Sequence, residues 1–432
     1  MTNTMKISNY NAYLPYKNGL VVYNSLRDTC LMVYPDNEVV LAMQSQDNSK
    51  LKSFSDEQLK LFVENQMIVD ENVDEIEEIK SQLEATNSRS DFFILTINPT
   101  LSCNFRCWYC YEEHKSKPHM DASDVERVDK CIEKILSTES INELSVSFFG
   151  GEPLLAFVNV VKPIVEHTAC LASKYGKRYS IQMTTNAYLL KPEYADFLSK
   201  YNIQHYQITL DGNKQRHNKV RSDAAGNGSY DEIVTNIKYA LSLGNNVIVR
   251  LNISEETNLD VPLLLNDFDG LPSESKQHLI FSVHQIWQAE NLDKSLINKI
   301  IEQVRERGYE CNPYHHSGLN LKRTCYADKN NHFIINPKGE VYGCTARDFD
   351  EKTIEGHLDL DGVASFNERR QTRLSMSPLQ NEECKQCFIL PMCGGGCKTR
   401  ILETKDYNSC KFGYSKDDKI KFSQHYITER FR

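Results

Sequence analysis

The 432-residue sequence predicts an α/β protein built around a partial (β/α)6 barrel of the TIM type. Six strand-like runs alternate with helix-like stretches between residues 91 and 308, which is typical of repeated βα units. Residues 1–90 carry a β-hairpin signal and polar helical segments, which predict a small α+β domain. Residues 309–432 have poor periodicity and many cysteines, so we expect a third, cysteine-rich domain that depends on metal for its folding.

The N-terminal domain begins with the hairpin signal. Two β-rich runs are joined by Lys17-Asn18-Gly19, and an Asn-Gly pair between such runs is typical of a tight turn. A third β-rich run and two polar helical segments follow. The predicted elements are strands Tyr10–Tyr16, Leu20–Tyr23 and Thr29–Tyr34, and helices Asp56–Gln66 and Val73–Glu84.

The central domain has the alternation of a parallel sheet covered by helices. Its predicted strands are Phe93–Ile97, Leu144–Phe149, Ser180–Thr184, His205–Leu210, Asn246–Asn252 and Leu279–Ile286. Its predicted helices include Ala122–Leu136, Val158–Lys174, Tyr230–Leu243 and Lys294–Arg307. Six units are too few to close the standard eight-unit barrel, so we expect an open one. In such sheets the chemistry lies at the carboxyl ends of the strands.

The composition excludes several classes of partner. The net charge of −9 and the absence of a basic block argue against a nucleic-acid partner. The N-terminus lacks the apolar core of a secretory signal, and no run is long enough to span a bilayer, so we expect a cytoplasmic protein without a membrane partner. In that compartment thiols stay reduced, and fourteen cysteines indicate metal ligands more than disulfides. Cys30, Cys131 and Cys170 are expected to be buried structural thiols.

Cys103, Cys107 and Cys110 stand in the spacing C-x3-C-x2-C directly after the first barrel strand. Three thiolates from one loop can hold three irons of a [4Fe–4S] cluster and leave the fourth iron open for another ligand. A zinc site is the alternative, but zinc motifs usually pair two C-x2-C halves. The spacing therefore predicts an iron–sulfur cluster.

The triplet, with Tyr109 as the aromatic residue before the last cysteine, resembles the signature of the radical S-adenosylmethionine (SAM) superfamily. The resemblance implies that SAM chelates the open iron and is cleaved to a 5′-deoxyadenosyl radical. It also implies a set of SAM-binding residues, each at or just after a strand end. These residues are Tyr109, Gly151 and Glu152 in Gly150-Gly151-Glu152-Pro153, Asn186, Thr209, and Arg221.

Their expected roles differ. Gly151 allows the backbone to approach the ligand closely, and Glu152 accepts a hydrogen bond from the ligand's ammonium group. By the resemblance, Asn186 lies near the ribose, and Thr209 and Arg221 contact the ribose or the carboxylate. For Arg221 an ordinary surface ion pair is an equal alternative. No general base can be named from the sequence.

The C-terminal domain carries a second cysteine array. Cys325 and Cys344 flank a hairpin signal at Lys338-Gly339, and five further cysteines follow in the order C-x2-C-x5-C-x3-C … C. The array resembles the SPASM region, which implies two auxiliary [4Fe–4S] clusters and therefore three clusters in all. The implied ligand sets are Cys384, Cys387, Cys393 and Cys410 for one cluster, and Cys325, Cys344 and Cys397 for the other.

The second set supplies only three thiolates. Either that cluster has an open iron, which would favour thioether formation, or Cys311 is its fourth ligand. A zinc ribbon is the alternative for the whole array, yet seven cysteines do not divide into fours.

The two resemblances together imply an enzyme that modifies a ribosomally synthesised precursor peptide through a thioether or carbon crosslink. Residues 1–90 resemble leader-peptide recognition domains, although a subdomain that only caps the barrel is an equal interpretation. The implied electron donor is of the flavodoxin or ferredoxin type. The rival interpretations are an anaerobic sulfatase-maturing enzyme, which forms formylglycine, and a noncatalytic module stabilised by zinc.

Joint replacement of Cys103, Cys107 and Cys110 by alanine tests the metal assignment. We expect the anaerobically purified variant to lose the iron and sulfide of one cluster and all 5′-deoxyadenosine formation, while iron held by the C-terminal cysteines remains. Iron and sulfide assays measure the first effect and chromatography the second. Cys170→Ala is the control, and a wild-type protein that contains zinc instead of iron would contradict the prediction.

Overall fold

The computed structural model describes residues 4–112, 118–223, 225–254, 260–286, 294–312 and 321–430. The chain divides into two compact units, and this division differs from three consecutive domains. The barrel unit contains Arg89–Ser317 and Asn331–Gln371. The other unit, which we call the terminal unit, combines Met1–Ser88, Gly318–Asn330 and Thr372–Arg432. The functions expected for residues 1–90, 91–308 and 309–432 remain predictions.

The described residues of the barrel unit form one eleven-stranded sheet. Its strands are β6 Phe92–Ile97, β7 Glu143–Phe148, β8 Arg178–Thr185, β9 Ile203–Leu210, β10 Val247–Ile253, β11 Leu279–Gln285, β12 Glu310–Asn312, β13 His332–Ile335, β14 Glu340–Tyr342, β15 Gly356–Leu358 and β16 Ala364–Phe366. Their order in the sheet is β12-β11-β10-β9-β8-β7-β6-β13-β14-β15-β16. All six predicted strands are present and pair in parallel, which confirms the α/β class and the partial barrel.

The hairpin predicted at Lys338-Gly339 is also present, but it extends the barrel sheet. Its first strand, β13, pairs in parallel with β6, and the antiparallel strands β14, β15 and β16 follow. Gly339 has φ +74°, a conformation that the turn requires and that glycine adopts readily. Residues 331–371, expected in the cysteine-rich domain, therefore belong to the barrel unit.

The two faces of the parallel strands have opposite chemistry. Along β10, Val247, Val249 and Leu251 are buried in the apolar core, whereas Arg250 and Asn252 alternate with them on the other face. Neighbouring strands follow the same alternation. The second face, which we call the lumen, is therefore polar, and the first is covered by helices.

The helices that cover the barrel core are α5 Ala122–Ser137, α6 Lys162–Tyr175, α7 Pro192–Leu198, α8 Lys214–Val220, α9 Tyr230–Ser242, α10 Val261–Asn266, α11 Ser273–Gln277 and α12 Lys294–Glu306, with α13 Glu368–Ser375 after the last strand. Four of them, α5, α6, α9 and α12, correspond to the helices that the sequence predicts. α5 begins at Asp121, which forms a capping box with Asp124. Among the described residues, one helical stretch, Pro153–Tyr175, is apolar and long enough to cross a membrane by length and composition. Its residues Ile164 and Val165 are fully buried in the barrel core.

The terminal unit brings both ends of the chain together. Its strands are β1 Met5–Ile7, β2 Asn11–Tyr16, β3 Gly19–Asn24, β4 Thr29–Val33 and β5 Ile68–Asp70. Its helices are α1 Glu38–Gln44, α2 Asn48–Leu51, α3 Asp56–Glu64, α4 Glu75–Asn87, α14 Glu382–Lys385, α15 Leu390–Cys393, α16 Lys398–Thr404 and α17 Lys416–Arg430. The predicted hairpin is confirmed as β2–β3, closed by Tyr16 opposite Gly19.

Specific contacts join these segments. The Tyr10 hydroxyl donates to the Lys385 carbonyl at 3.1 Å, and the Gln424 amide donates to the Pro15 carbonyl at 3.0 Å. Residues 372–430 therefore share one compact unit with residues 4–88 and do not form a separate C-terminal domain.

Candidate active site

The cysteine triplet lies in the loop after β6, at the carboxyl end of the parallel sheet. The Cys110 amide donates to the Cys107 carbonyl at 3.0 Å, and the Phe105 amide donates to the Cys103 sulfur at 3.4 Å. Phe105 is buried and anchors the loop in the barrel core. All three cysteines line one cavity, as the sequence predicts.

The chemistry of these thiols fits an iron–sulfur cluster. Burial raises the pKa of Cys103 to about 12 and that of Cys110 to about 11, so neither thiol ionises at neutral pH without a cation. Cationic irons would supply the stabilisation that a thiolate needs here. Within the part of the chain that the structure describes, no three His, Cys, Asp or Glu side chains are arranged to hold a single metal ion. A cluster spreads its ligand sulfurs further apart than a single tetrahedral ion does.

The Gly150-Gly151 pair packs directly against the backbone of the cysteine loop. A Cβ on Gly151 would lie 2.1 Å from the Ser102 carbonyl oxygen, and one on Gly150 would lie 2.6 Å from that of Thr100. Gly150 also has φ +101°. Both glycines line the cavity of the triplet. Glycine is therefore needed because the backbone makes a close approach here, as predicted. The group that it approaches, however, is the backbone of the protein's own cysteine loop.

Glu152 is fully buried and holds this arrangement together. Its carboxylate accepts hydrogen bonds from the Leu154 amide at 3.0 Å, the Thr185 hydroxyl at 2.7 Å and the Asn186 amide at 2.7 Å. Glu152 is not among the residues that line the cavity. The expected bond to a ligand ammonium finds no support in this geometry, because the carboxylate is already occupied by the end of β8.

Asn186 and Thr209 both line the cavity, as predicted. The Asn186 side-chain amide donates to Asn104 Oδ1 at 2.7 Å and lies 3.9 Å from the Cys103 sulfur. Asn186 therefore contacts the cysteine loop, and its place near a ribose stays a prediction. Thr209 ends β9 and lines a second, adjoining cavity as well.

Arg221 is buried, so the interpretation of it as a surface ion pair is wrong. Its Nε donates to the Asp211 carboxylate at 2.6 Å, and its Nη2 donates to the Tyr109 hydroxyl at 2.9 Å. The Tyr109 hydroxyl donates to Asp211 at 2.6 Å and accepts from Asn252 at 2.9 Å. This network ties the cysteine loop to the ends of β9 and β10. It compensates the two buried charges with hydrogen bonds.

His217 stabilises this network through two hydrogen bonds. The Asp211 amide donates to its Nδ1 at 3.3 Å, so Nδ1 is the acceptor and Nε2 carries the proton toward Ser229 Oγ, 3.1 Å away. Ser229 in turn donates to the Arg221 carbonyl at 2.6 Å. Burial lowers the pKa of His217 to about 3, so the ring is neutral in the folded protein.

The adjoining cavity lies over the lumen face. Four of the residues that line it, Tyr109, Cys110, Thr209 and Arg221, were selected as site residues from the sequence. The others were not, namely Tyr111, Glu112, Phe149, Thr184, Gln207, Arg250, Asn252, Gln285 and Ile286. Burial, with the nearby Asp348 carboxylate, raises the pKa of Glu112 to about 8. The strand residues among them could have been predicted from their sequence positions, because each lies near a strand end and alternates with buried residues.

Four of the C-terminal cysteines come together in the terminal unit. Burial raises the pKa of Cys384 to about 11, and its neighbours Cys393, Cys387 and Cys410 raise it further. Lys419 on α17 donates to the Cys387 sulfur. The four thiols, with the ammonium groups of Lys411 and Lys419 nearby, fit the ligand set expected for one auxiliary cluster.

The other expected set is distributed over both units. Cys344 belongs to the barrel unit, where its sulfur accepts from the Ala346 amide at 3.4 Å, and Cys325 and Cys397 belong to the terminal unit. A cluster shared by these three stays a prediction. Cys311 on β12 is buried among the aliphatic residues of the barrel core, which disfavours it as the fourth ligand. Of the three thiols expected to be structural, Cys131 is buried, Cys30 is partly buried and Cys170 is exposed, so the expectation for Cys170 is wrong.

Gly151→Ala tests the contact between the two loops. The new Cβ would collide with the Ser102 carbonyl oxygen at 2.1 Å, so we expect a loss of at least about 1–3 kcal/mol in the free energy of unfolding and loss of iron from the triplet. Chemical denaturation and iron assays measure these effects. Gly270→Ala is the matched control, because a Cβ there meets open space. Equal stability of the two variants would refute the contact.

The lowered pKa of His217 predicts that the folded protein loses stability in acid. Its pKa of about 3 in the folded protein lies below the unfolded value, so the unfolded chain binds a proton that the folded chain does not. Stability should fall by about 1.4 kcal/mol for each pH unit below about 6.5, until the pH approaches the folded pKa. Melting temperatures of wild type and His217→Gln between about pH 7.5 and about pH 5 measure the effect. Parallel curves would contradict it, because glutamine does not titrate.

Comparison with known proteins places this site in a family. Residues 97–267 match the Radical SAM superfamily. The cysteine-type anaerobic sulfatase-maturating enzyme of Clostridium novyi (strain NT) is 26% identical over 349 residues, which are 70% of this chain and 87% of that protein. The radical SAM cyclopropyl synthase TigE of Paramaledivibacter caminithermalis is 22% identical over 391 residues, which are 81% and 77% of the two chains.

Two solved structures share the fold. Native anSMEcpe with bound AdoMet has a TM-score of 0.59 at 18% identity and covers 78% of this chain and 97% of its own. Streptococcus suis SuiB bound to the precursor peptide SuiA has a TM-score of 0.55 at 16% identity and covers 94% and 98%. A noncatalytic zinc module is inconsistent with these matches. The chain is an enzyme with a radical SAM domain over residues 97–267, and it is similar to sulfatase-maturing and peptide-modifying enzymes.

Proposed function

We propose that the protein is a peptide maturase that modifies a side chain of a ribosomally made precursor and forms a thioether or carbon crosslink. One observation carries the proposal. The cavity of the cysteine triplet shares Tyr109, Thr209 and Arg221 with the cavity over the polar lumen. A substrate side chain in the second cavity would therefore lie beside the residues that generate the radical.

Cys103, Cys107 and Cys110 would hold a [4Fe–4S] cluster with SAM, which together would supply the radical chemistry needed to remove a hydrogen atom from the substrate. The chain's own residues position and enclose the reactants. Arg221, fixed by Asp211, keeps a guanidinium group at the junction of the two cavities, where it can bind an anionic group of the cofactor. The surrounding strand ends keep water away from the radical.

The auxiliary clusters belong to the same proposal. Cys384, Cys387, Cys393 and Cys410 would hold one, and their mutual proximity in the terminal unit supports it. Cys325, Cys344 and Cys397 would hold the other, with one iron open, since Cys311 lies in the barrel core. These clusters would accept the electron left on the product or hold the peptide. A flavodoxin or ferredoxin would donate the first electron, in the cytoplasm.

A groove in the terminal unit supports peptide binding. It is lined by Thr4 and Met5 beside β1, and by Leu51, Phe54, Leu59 and Val63 together with the charged residues Lys52, Asp56, Glu57, Lys60 and Glu64. β1 pairs with β5 among the described strands, and on its other edge the Ile7 amide donates to Asn48 Oδ1 at 2.9 Å. An extended leader peptide would therefore bind in the groove mainly by placing apolar side chains against Leu59 and Val63 of α3.

A sulfatase-maturing enzyme remains the second candidate, because the Clostridium novyi relative matches 70% of the chain at 26% identity. Such an enzyme would oxidise a cysteine or serine to formylglycine and would have no need of the groove. Deletion of residues 1–90 does not separate the candidates, because Tyr10 and Pro15 contact residues 385 and 424 of the same unit. Substitutions in the groove are the sharper test.

Joint replacement of Leu59 and Val63 by alanine should weaken leader binding, since both side chains line the groove. We expect modification of a co-expressed candidate precursor peptide to fall about ten-fold at limiting peptide concentration. Mass spectrometry of peptide treated with the reconstituted enzyme measures it. Leu61→Ala is the matched control, because Leu61 lies on the same helix but is 58% exposed and does not line the groove.

Cleavage of SAM without peptide should be the same in all three proteins. A variant that modifies both the full precursor and a leaderless core peptide as well as wild type does would contradict leader binding in the groove and favour the sulfatase-maturing alternative.

A further inference from the structure

Arg250 occupies an unusual position in the lumen of the barrel sheet. In the strand register it stands between Thr209 of β9 and Ser282 of β11, on the polar face of β10. It lines the second cavity together with Gln207 and Gln285. It does not line the cavity that contains Cys103 and Cys107.

The charge of Arg250 is not neutralised by the described residues. Its one hydrogen bond there runs from Nε to Asn252 Oδ1, at 3.0 Å, and it forms no ion pair with any carboxylate in that part of the chain. Arg221 differs, because it pairs with Asp211 at 2.6 Å. The lumen therefore holds two arginines, of which Arg221 is paired with a carboxylate and Arg250 lines a cavity without one among the described residues.

A partly buried guanidinium group without a counterion is costly unless a ligand pairs with it. Its planar fork matches the two oxygens of a carboxylate. The side-chain amides of Gln207 and Gln285 in the same cavity can complete the hydrogen bonding without adding charge. A carboxylate carries the single negative charge that this one arginine can balance.

Two carboxylates could reach this region, the one of SAM and one of the substrate. Arg221 lies at the junction with the cavity of the cysteine triplet, where the cofactor would bind. Arg250 lines only the cavity beyond it. We propose that Arg250, with Gln207 and Gln285, forms a subsite that binds a carboxylate of the peptide substrate, either an Asp or Glu side chain or a C-terminus. This inference rests on the proposed function and names its substrate class as acidic peptides.

Titration calorimetry of the SAM-loaded holoenzyme tests the subsite with defined probes. The probes are acetyl-Gly-Glu-Gly-amide and acetyl-Gly-Asp-Gly-amide, each paired with its Gln or Asn counterpart. We expect wild type to bind the acids about ten-fold or more tightly than the amides, because a charge-assisted pair is lost in the amides. Arg250→Gln should reduce this ratio to about one, and Arg250→Lys should retain part of it. Arg178→Gln is the matched control, because Arg178 is an exposed arginine at the opposite end of β8.

Formation of 5′-deoxyadenosine from SAM and dithionite, without peptide, separates the possible failures. We expect Arg178→Gln to stay within about two-fold of wild type, and all variants to keep the cluster absorbance of wild type. Loss of this activity in Arg250→Gln would assign the residue to the cofactor's carboxylate and overturn the proposal. Equal binding of acids and amides by wild type, or no binding of any probe, would also overturn it. Failure of the proposed function would show instead as a wild-type enzyme that cleaves SAM but modifies no peptide.

Discussion

The barrel site depends on one contact between backbones. The Gly151 amide donates to the Thr100 carbonyl at 3.1 Å, and the Glu152 amide donates to that of Ser102 at 2.8 Å. These bonds hold the cysteine loop against the end of β7, and the Glu152 carboxylate extends the connection to the end of β8. A side chain on either glycine would separate the loops. The position of three thiols therefore depends on two residues that carry no functional group.

Charge in the lumen follows a second constraint. The helix-covered face of the parallel strands is aliphatic, so the buried polar groups are concentrated on the other face. There Asp211 and Arg221 compensate each other, and Tyr109 and Asn252 provide further hydrogen bonds. Arg250 donates to Asn252 but forms no ion pair with a carboxylate among the described residues. A site that compensates one cation and leaves another facing a cavity is organised for an anionic ligand.

The terminal unit is built from segments that lie far apart in the sequence. Residues 7–68 form an apolar cluster of their own, and a second cluster joins Tyr10, Ile79 and Leu83 to Leu379 and Leu390. Four cysteines come together in this unit, and the adjacent Lys419 reduces the repulsion among the thiolates that a cluster requires. The same unit carries the groove beside β1. Peptide capture and an auxiliary cluster would therefore share one folded body.

The sequence by itself determined the local features. Hydrophobic periodicity located six parallel strands and the hairpins at Asn18-Gly19 and Lys338-Gly339, and cysteine spacing located the triplet, because these signals depend on near neighbours in the chain. Only the tertiary structure decided which distant groups meet. The pairing of Arg221 with Asp211, the occupied carboxylate of Glu152 and the position of Arg250 beside Asn252 each depend on how strands separated by whole helices align. Side-chain alternation gives the face of a residue, whereas its partner is set by the register between strands.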